Sequence, residues 1–277
     1  MKASFMVANE NIPEGSRVTG LTGRLQETLR KLSSIGFKKY ELMIDDPEKV
    51  DIERIKHYND SFGLDMIFLC SGEMAGIAGL SLNNIDENER KKAIEKFLKA
   101  IEVANEFGVN INIGRLRGTI WEDGKEESLK RLAKSLEIVD EFIDSESMRV
   151  EVLIEPLRKD ICPLLNGCEE TVAFIEKNNL RNFKILLDSD HLNKESDPEF
   201  IRRDTNWIGH VHLADTAHEP LGRGEINFNE FMDLLLRSGY EGEFSVEVFC
   251  GEEQYKTLKE SYEYLKKYSN SKETDNE

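Results

Sequence analysis

The sequence predicts an α/β fold, a (β/α)8 TIM barrel that forms a single domain. Eight short apolar runs alternate with longer amphipathic segments, which is the order of strands and helices in such a barrel. The length of 277 residues is close to the roughly 250 typical of this fold. Because no Pro-, Gly- or Ser-rich linker divides the chain, we expect one barrel over residues 1–268 and a polar, disordered tail over residues 269–277.

The strands are predicted from short runs that are rich in β-branched and aromatic residues and bounded by Gly, Asn or Asp. These runs lie at residues 4–7, 40–44, 66–69, 109–113, 150–154, 183–187, 207–213 and 244–248. Each run is short enough for a buried strand and is followed by a segment with helical periodicity. The pattern therefore predicts parallel strands joined by helices.

The helices are predicted from apolar residues that recur at the spacing of one helix face. The first helix contains Leu25, Leu29 and Leu32 and is expected to stop at Gly36. The segment after Asp197 has the weakest helical pattern. Later helices are marked by Ile94, Phe97, Leu98, Ile101 and Ala104, by Leu129, Leu132, Ala133, Leu136 and Val139, by Phe231, Leu234 and Leu235, and by Leu258, Tyr262 and Leu265.

A doubly wound Rossmann sheet is the alternative fold for alternating strands and helices. The sequence disfavours it because the chain contains neither a G-x-G-x-x-G nor a Walker A motif. The segment at 222–227, Gly-Arg-Gly-Glu-Ile-Asn, lacks the third glycine and does not directly follow a predicted strand. We therefore expect no nucleotide or other organic cofactor.

The composition excludes several classes of function. Lys and Arg number 37 against 54 Asp and Glu, and the resulting net charge of −17 opposes binding to nucleic acid. Hydrophobic residues make up 39% of the chain, yet no run approaches the ~18 apolar residues of a membrane span. The four cysteines form no C-x-x-C pair, so neither a disulfide framework nor a thiolate zinc site is expected. We expect a soluble, cytoplasmic protein without nucleic-acid or membrane partners.

Side-chain alternation along the last four predicted strands directs polar groups toward the barrel axis. In each strand one set of alternate residues is almost wholly apolar and suits the helix layer, whereas the other set carries nearly every polar residue. The polar sets end at Glu155, Asp188, His212 and Glu247. These positions are the carboxyl ends of the strands, where TIM-barrel active sites lie. His210, one layer below, is expected to be a hydrogen-bonded core residue.

A metal ion would explain why these four residues converge. Three carboxylates brought together without a cation repel one another. Three carboxylates and one imidazole form a mostly oxygen ligand set, which favours Mn²⁺ or Mg²⁺ and leaves Zn²⁺ or Co²⁺ as alternatives. The sequence therefore predicts one divalent metal ion at Glu155, Asp188, His212 and Glu247.

Five motifs, in this order, resemble those of the xylose-isomerase-like TIM-barrel superfamily of sugar isomerases and epimerases. The resemblance begins at Gly36 and extends over most of the chain. The motifs are Leu-Ile-Glu-Pro at 153–156, Leu-Asp-Ser-Asp-His at 187–191, His-Val-His-Leu-Ala-Asp at 210–215, Gly-Arg-Gly-Glu-Ile-Asn-Phe at 222–228 and Gly-Tyr-Glu-Gly-Glu-Phe-Ser-Val-Glu at 239–247. Each motif is short, but the ordered set is specific.

The resemblance implies roles for individual residues. The same four residues match the metal ligands of the family, and Glu155 and Glu247 match glutamates that exchange protons with the substrate from opposite faces. His191 matches a histidine that contacts the substrate. His218 stands where several ketose epimerases carry an arginine on the substrate, which puts in doubt a sugar assignment taken from those enzymes.

Three arginines are further candidates for substrate binding. Arg115 and Arg117 follow the fourth predicted strand, and Arg223 follows the seventh. Because guanidinium groups bind phosphates and multiple oxygens well, we expect these side chains to grip a phosphate or several hydroxyls.

The expected function is a metal-dependent isomerase or epimerase of a ketose or sugar phosphate. It would act by α-proton transfer through a metal-stabilised enediolate, with a small-molecule carbohydrate as its partner. An inosose-type keto-polyol dehydratase on the same metal site is the main alternative. An endonuclease IV-like nuclease and a non-catalytic sugar-binding protein are weaker alternatives, and a homo-oligomer is left open.

Overall fold

The computed structural model describes residues 3–192 and 197–274, and within these ranges eight parallel strands close into one barrel in the order β1 to β8. The (β/α)8 fold predicted from the sequence is therefore confirmed. The strands are β1 (Ala3–Ala8), β2 (Lys39–Met43), β3 (Asp65–Cys70), β4 (Asn110–Ile113), β5 (Val152–Ile154), β6 (Phe183–Asp188), β7 (Ile208–Leu213) and β8 (Phe244–Val246).

The helices surround the barrel and include one at each predicted position. In the described residues they are α1 (Leu25–Ile35), α2 (Ile52–Phe62), α3 (Gly72–Gly76), α4 (Glu87–Phe107), α5 (Lys125–Ser145), α6 (Cys168–Lys177), α7 (Asp197–Asp204), α8 (Phe228–Arg237) and α9 (Gln254–Thr274). α1 ends before Gly36, whose φ of 123° is a conformation that favours glycine. α9 continues to Thr274, so residues 269–274 of the predicted disordered tail are helical. None of the helices in these ranges is both long and apolar enough to cross a membrane.

The two faces of the strands pack into separate apolar clusters. Outward side chains such as Val152, Ile185 and Val211 belong to the large core shared with the helices. Inward Leu153 and Leu186 belong to a small cluster within the barrel. This division confirms the side-chain alternation predicted for β5 to β7, and it leaves the polar inward residues at the carboxyl end of the barrel.

Candidate metal centre and substrate cavity

Four side chains from consecutive strands converge at the carboxyl end of the barrel. Glu155 follows β5, Asp188 ends β6, His212 lies near the end of β7, and Glu247 follows β8. One potential ligand atom from each residue lies within 4.8 Å of the corresponding atoms of the others, and all four residues are buried. We call this group the four-residue cluster. The geometry brings together the four residues that the sequence singled out.

Backbone hydrogen bonds hold the two glutamates in place although their strands are only three residues long. The N–H of Glu155 donates to Ile113 O at 3.1 Å, and the N–H of Glu247 donates to Leu213 O at 3.1 Å. The backbone hydrogen bonds from β5 to β4 and from β8 to β7 therefore continue one residue beyond the end of β5 and of β8. Gly114 leaves room beside Glu155, because a Cβ at position 114 would lie 3.0 Å from Glu155 Oε2.

His212 is fixed by carboxylates on both sides of its ring. Its Nε2 lies 3.0 Å from Glu41 Oε2, and its Nδ1 lies 2.7 Å from Glu247 Oε2. Because Glu41 accepts the Nε2 hydrogen, loss of the Nδ1 proton of His212 to the solvent would leave the Nδ1 lone pair free for a cation. His212 Nδ1 and Glu247 Oε2 face each other, and Asp188 Oδ2 is buried without a hydrogen-bond partner. These three atoms point into one small region and have the chemistry of metal donors, so the residues present fit a divalent cation.

The electrostatics of the four-residue cluster show the repulsion expected of converging carboxylates. Burial, followed by the negative charge of Glu247, raises the pKa of Glu155 to about 7. Burial also raises the pKa of Asp188 above its ordinary value. Burial would likewise raise the pKa of Glu247, but the positive charge of His212 holds it well below its ordinary range. Bringing these acids together therefore requires positive charge among them.

Two further histidines form one wall above the four-residue cluster. His191 Nε2 lies 3.8 Å from Glu155 Oε1, and its backbone N–H donates to Asp188 Oδ1. Burial lowers the pKa of His191, but the charge of Asp188 and other carboxylates raises it to about 9. The ring of His218 stands edge-on to that of His191, with centroids 5.0 Å apart. The predicted substrate-contacting histidines are thus adjacent to the predicted metal ligands.

The loop that carries His218 is held in an unusual backbone conformation. Ala217 and His218 have φ values of 61° and 56°, a region that residues other than glycine rarely adopt. Asp190 Oδ1 accepts a hydrogen bond from Ala217 N at 2.8 Å, and His218 Nδ1 lies 3.0 Å from Glu247 O. These contacts from neighbouring elements keep the His218 ring over the four-residue cluster.

Asp215 explains two of the sequence motifs in structural terms. Its carboxylate accepts hydrogen bonds from the backbone N–H groups of Gly222 at 2.9 Å and Ile226 at 3.1 Å. It also caps the turn at Thr216. The aspartate of the 210–215 motif therefore organises the glycine-containing 222–228 segment and does not reach the cavity.

A cavity of about 240 Å³ opens above the four-residue cluster, which is enough for a small molecule. Glu155 and Glu247 lie on its wall together with His191 and His218. Other lining residues include Arg17, Thr19, Met43, Glu73, Asn112, Gly114, Arg115, Leu157, Ile161 and Phe249. Polar groups therefore converge at one end of a cavity that also has apolar walls, which is typical of small-molecule sites.

The three predicted arginines have different positions. Arg115 lines the cavity and pairs with Glu73 at 2.8 Å. The fully buried Arg117 does not line it, because its guanidinium donates to the backbone carbonyls of Glu155 and Leu165. Arg223 pairs with Glu260 on the surface of the protein and is also absent from the cavity wall. The expectation of direct substrate contact is therefore not supported for Arg117 and Arg223.

Sequence reasoning missed two charged residues of the site. Glu41 is fully buried inside β2 and contacts both His210 and His212. The sequence does carry a signal for Glu41, because it is a carboxylate within an otherwise apolar run. Side-chain alternation along the second strand would direct it toward the barrel axis. Arg17 lies in the loop after β1, which has no periodicity, so no local sequence pattern indicates that it reaches the cavity. His210 is a buried core residue that contacts Glu41 and Ser245, as expected.

The fold and site define a (β/α)8 barrel with a candidate metal centre and a small-molecule cavity at the carboxyl ends of its strands. The family profile of the xylose isomerase-like TIM barrels matches residues 29–268. The chain belongs to this family.

Known proteins with similar sequences and structures cover most of the chain. A ketose 3-epimerase of Arthrobacter globiformis is 24% identical over 81% of this chain and 78% of its own length. An L-ribulose 3-epimerase of Mesorhizobium japonicum is 26% identical over 82% of this chain and 76% of its own length. The crystal structure of a 3-keto-D-glucoside 4-epimerase from E. coli, at 20% identity, superposes with a TM-score of 0.77 over 96% of this chain and 99% of that protein. The structural likeness shows the shared fold.

Proposed function

We propose that this protein is a divalent-metal-dependent epimerase or isomerase of a ketose or sugar phosphate. The observation that carries the proposal is the four-residue cluster, whose two glutamates lie on the wall of a cavity suited to a small molecule. The relatives named ketose 3-epimerase and L-ribulose 3-epimerase support a ketose as the class of substrate.

The cation would be held by Glu155, Asp188, His212 and Glu247. Mn²⁺ or Mg²⁺ suits the site better than Zn²⁺ or Co²⁺, because three of the four ligands are carboxylates. The buried, unpartnered Oδ2 of Asp188 and the close pair of His212 Nδ1 and Glu247 Oε2 support this assignment. When bound, the cation polarises the substrate carbonyl and offsets the negative charge that develops as the neighbouring proton leaves.

The side chains around the cavity supply the proton transfers. Glu155 and Glu247 both line the cavity, so one carboxylate can take the proton from the carbon beside the carbonyl while the other returns a proton. The hydroxyl of Thr19 donates to Glu247 Oε1 at 2.7 Å and fixes the direction of that carboxylate. His191 lies beside Glu155 and is the alternative proton donor. His191 and His218 can also orient the substrate through hydrogen bonds to its hydroxyls.

The test is solvent-deuterium exchange during turnover. Purified protein with Mn²⁺ is incubated in D₂O with a panel of ketoses, ketose phosphates and inososes, and the products are followed by NMR and mass spectrometry. We expect isomerisation without a change in composition, and deuterium at the carbon beside the carbonyl. Loss of water from the substrate would instead identify the dehydratase alternative.

Matched variants assign the proton transfers to the two glutamates. Glu155→Gln and Glu247→Gln are expected to abolish exchange. Glu151→Gln is the control, because Glu151 lies just before β5, at the opposite end of that strand, and pairs there with Lys184. The proposed mechanism fails if both cavity variants retain full deuterium exchange.

A further inference from the structure

Arg17 differs from Arg115 and Arg158, the other partly exposed arginines near the cavity, in having no acidic partner. Arg115 pairs with Glu73, and Arg158 pairs with Asp190. Among the ion pairs of residues 3–192 and 197–274, none involves Arg17, although Asp and Glu exceed Lys and Arg by 17 in the full sequence. Arg17 is thus a guanidinium without a carboxylate partner, and it lines the cavity that contains Glu155 and Glu247.

The segment that carries Arg17 is anchored to the barrel at several points. Leu21 continues alongside β1, with Ala8 N donating to Leu21 O at 2.8 Å and Leu21 N donating to Met6 O at 3.0 Å. Thr19 binds Glu247, and Val18 is buried. The backbone next to Arg17 therefore has a fixed position relative to the four-residue cluster.

The guanidinium of Arg17 is also positioned by an aromatic ring. Its central carbon lies 5.0 Å from the centroid of the Phe249 ring, within the range of a cation–π contact. Phe249 belongs to the same wall as His218, because its N–H donates to His218 O at 2.8 Å. Stacking leaves the edge of the guanidinium, with its N–H groups, available to a ligand.

We propose that Arg17 binds an anionic group, a phosphate or a carboxylate, on the end of the sugar that lies away from the four-residue cluster. The cluster is buried, whereas Arg17 is exposed at the cavity mouth, so a sugar with its carbonyl at the cluster extends its far end toward the mouth. Arg17 supplies the donor geometry that suits an oxyanion. Arg115 is already neutralised by Glu73, so Arg17 provides the uncompensated positive charge. This inference rests on the proposed function and names the substrate class of the same site.

The test compares neutral and anionic sugars on three proteins. Wild type, Arg17→Met and Arg24→Met are assayed with ketoses, with the same ketoses carrying a terminal phosphate, and with ketoses carrying a terminal carboxylate. Met preserves an unbranched apolar side chain against Phe249 but removes the charge. Arg24 is the matched control, because it precedes α1 on the same loop, is largely exposed and pairs with Glu27.

We expect wild type to prefer one of the two anionic series, and the preferred series identifies the anion. Loss of a charge-assisted, bidentate contact should lower kcat/KM of Arg17→Met for that series by about 10- to 100-fold. The same variant should change kcat/KM for neutral ketoses by less than about twofold, because the four-residue cluster is intact. Arg24→Met should behave as wild type. Calorimetric titration with inorganic phosphate should show binding to wild type that is lost in Arg17→Met if phosphate is the anion.

The results separate failure of this inference from failure of the proposed function. If wild type prefers neutral ketoses, or if Arg17→Met affects neutral and anionic sugars equally, Arg17 does not bind an anion, while the epimerase proposal stands. If wild type shows neither turnover nor solvent exchange with any sugar in the panel, the proposed function itself is wrong, and the assignment of Arg17 falls with it.

Discussion

Replacing Glu41 should weaken metal binding although this residue is not a proposed ligand. Glu41 is fully buried, and its carboxylate oxygens lie 3.1 and 3.0 Å from His212 Nε2. Its Oε2 also lies 3.2 Å from His210 Nε2. The carboxylate thus holds the hydrogen of His212 on Nε2 and directs the Nδ1 lone pair toward Asp188 and Glu247. Histidine ligands of metals depend on such partners for orientation and basicity.

The size of the effect follows from the contact that is lost. Glu41→Gln keeps the shape and one acceptor but removes the negative charge, so Mn²⁺ affinity should fall by about 10- to 100-fold, the usual result of losing such a partner. That range corresponds to roughly 1.4–2.8 kcal/mol of binding free energy. Glu41→Leu should also lower the free energy of unfolding by about 1–3 kcal/mol, because it leaves the buried His212 N–H without an acceptor.

Two measurements examine this prediction independently of catalysis. Isothermal titration of metal-free protein with Mn²⁺ gives the affinity, and long-range ¹H–¹⁵N NMR of protein saturated with diamagnetic Mg²⁺ gives the tautomer of His212. Glu151→Gln serves as the control, since Glu151 pairs with Lys184 at the amino ends of β5 and β6. If Glu41→Gln binds Mn²⁺ within twofold of wild type and keeps the same His212 tautomer, Glu41 does not position the ligand.

Three further predictions follow from the site. Removal of metal with EDTA should lower Tm, and added Mn²⁺ should restore it, because the cation offsets repulsion among Glu155, Asp188 and Glu247. Equal Tm values with and without metal in calorimetry would argue against the metal site. Gly114→Ala should reduce Mn²⁺ affinity measurably, because the added Cβ lies 3.0 Å from Glu155 Oε2. Gly167→Ala should leave the affinity unchanged, because the nearest atom is 4.0 Å from its added Cβ. Arg117→Met should lower the free energy of unfolding by about 2–4 kcal/mol, because buried hydrogen bonds are lost. The control Arg223→Met, on the surface, should lower it by at most about 0.5 kcal/mol. Equal denaturation midpoints of the two variants would contradict a structural role for Arg117.

The alternation of side chains along a strand explains why the four-residue cluster could be predicted from the sequence. A strand has a period of two, so the parity of an apolar run fixes which way the next polar residue points. Glu155, Asp188, His212 and Glu247 all continue such a run, and their direction was therefore predictable. The same argument, applied to the second strand, would have found Glu41.

Loops lack this period, so the sequence did not show which of the predicted arginines would line the cavity. Arg115 and Arg117 are two residues apart, and a strand would point both to the same side. They form a short 3₁₀ turn instead, so Arg115 lines the cavity while Arg117 turns inward to the Glu155 carbonyl. Arg17 reaches the cavity because Leu21 pairs with β1 and Thr19 binds Glu247, and no local sequence pattern encodes those long-range contacts.

The two halves of the barrel contribute different parts of the site. β5 to β8 supply all four residues of the cluster, whereas the first half supplies groups that hold or surround them: Glu41 behind His212, Thr19 beside Glu247 and Gly114 beside Glu155. The cavity-lining arginines, Arg17 and Arg115, also follow strands of the first half. Substitutions of these two arginines should therefore change which sugar binds while leaving the metal donors in place. Substitution of Arg17 is the most direct test of this division, because it alters the charge at the cavity mouth without changing a metal donor.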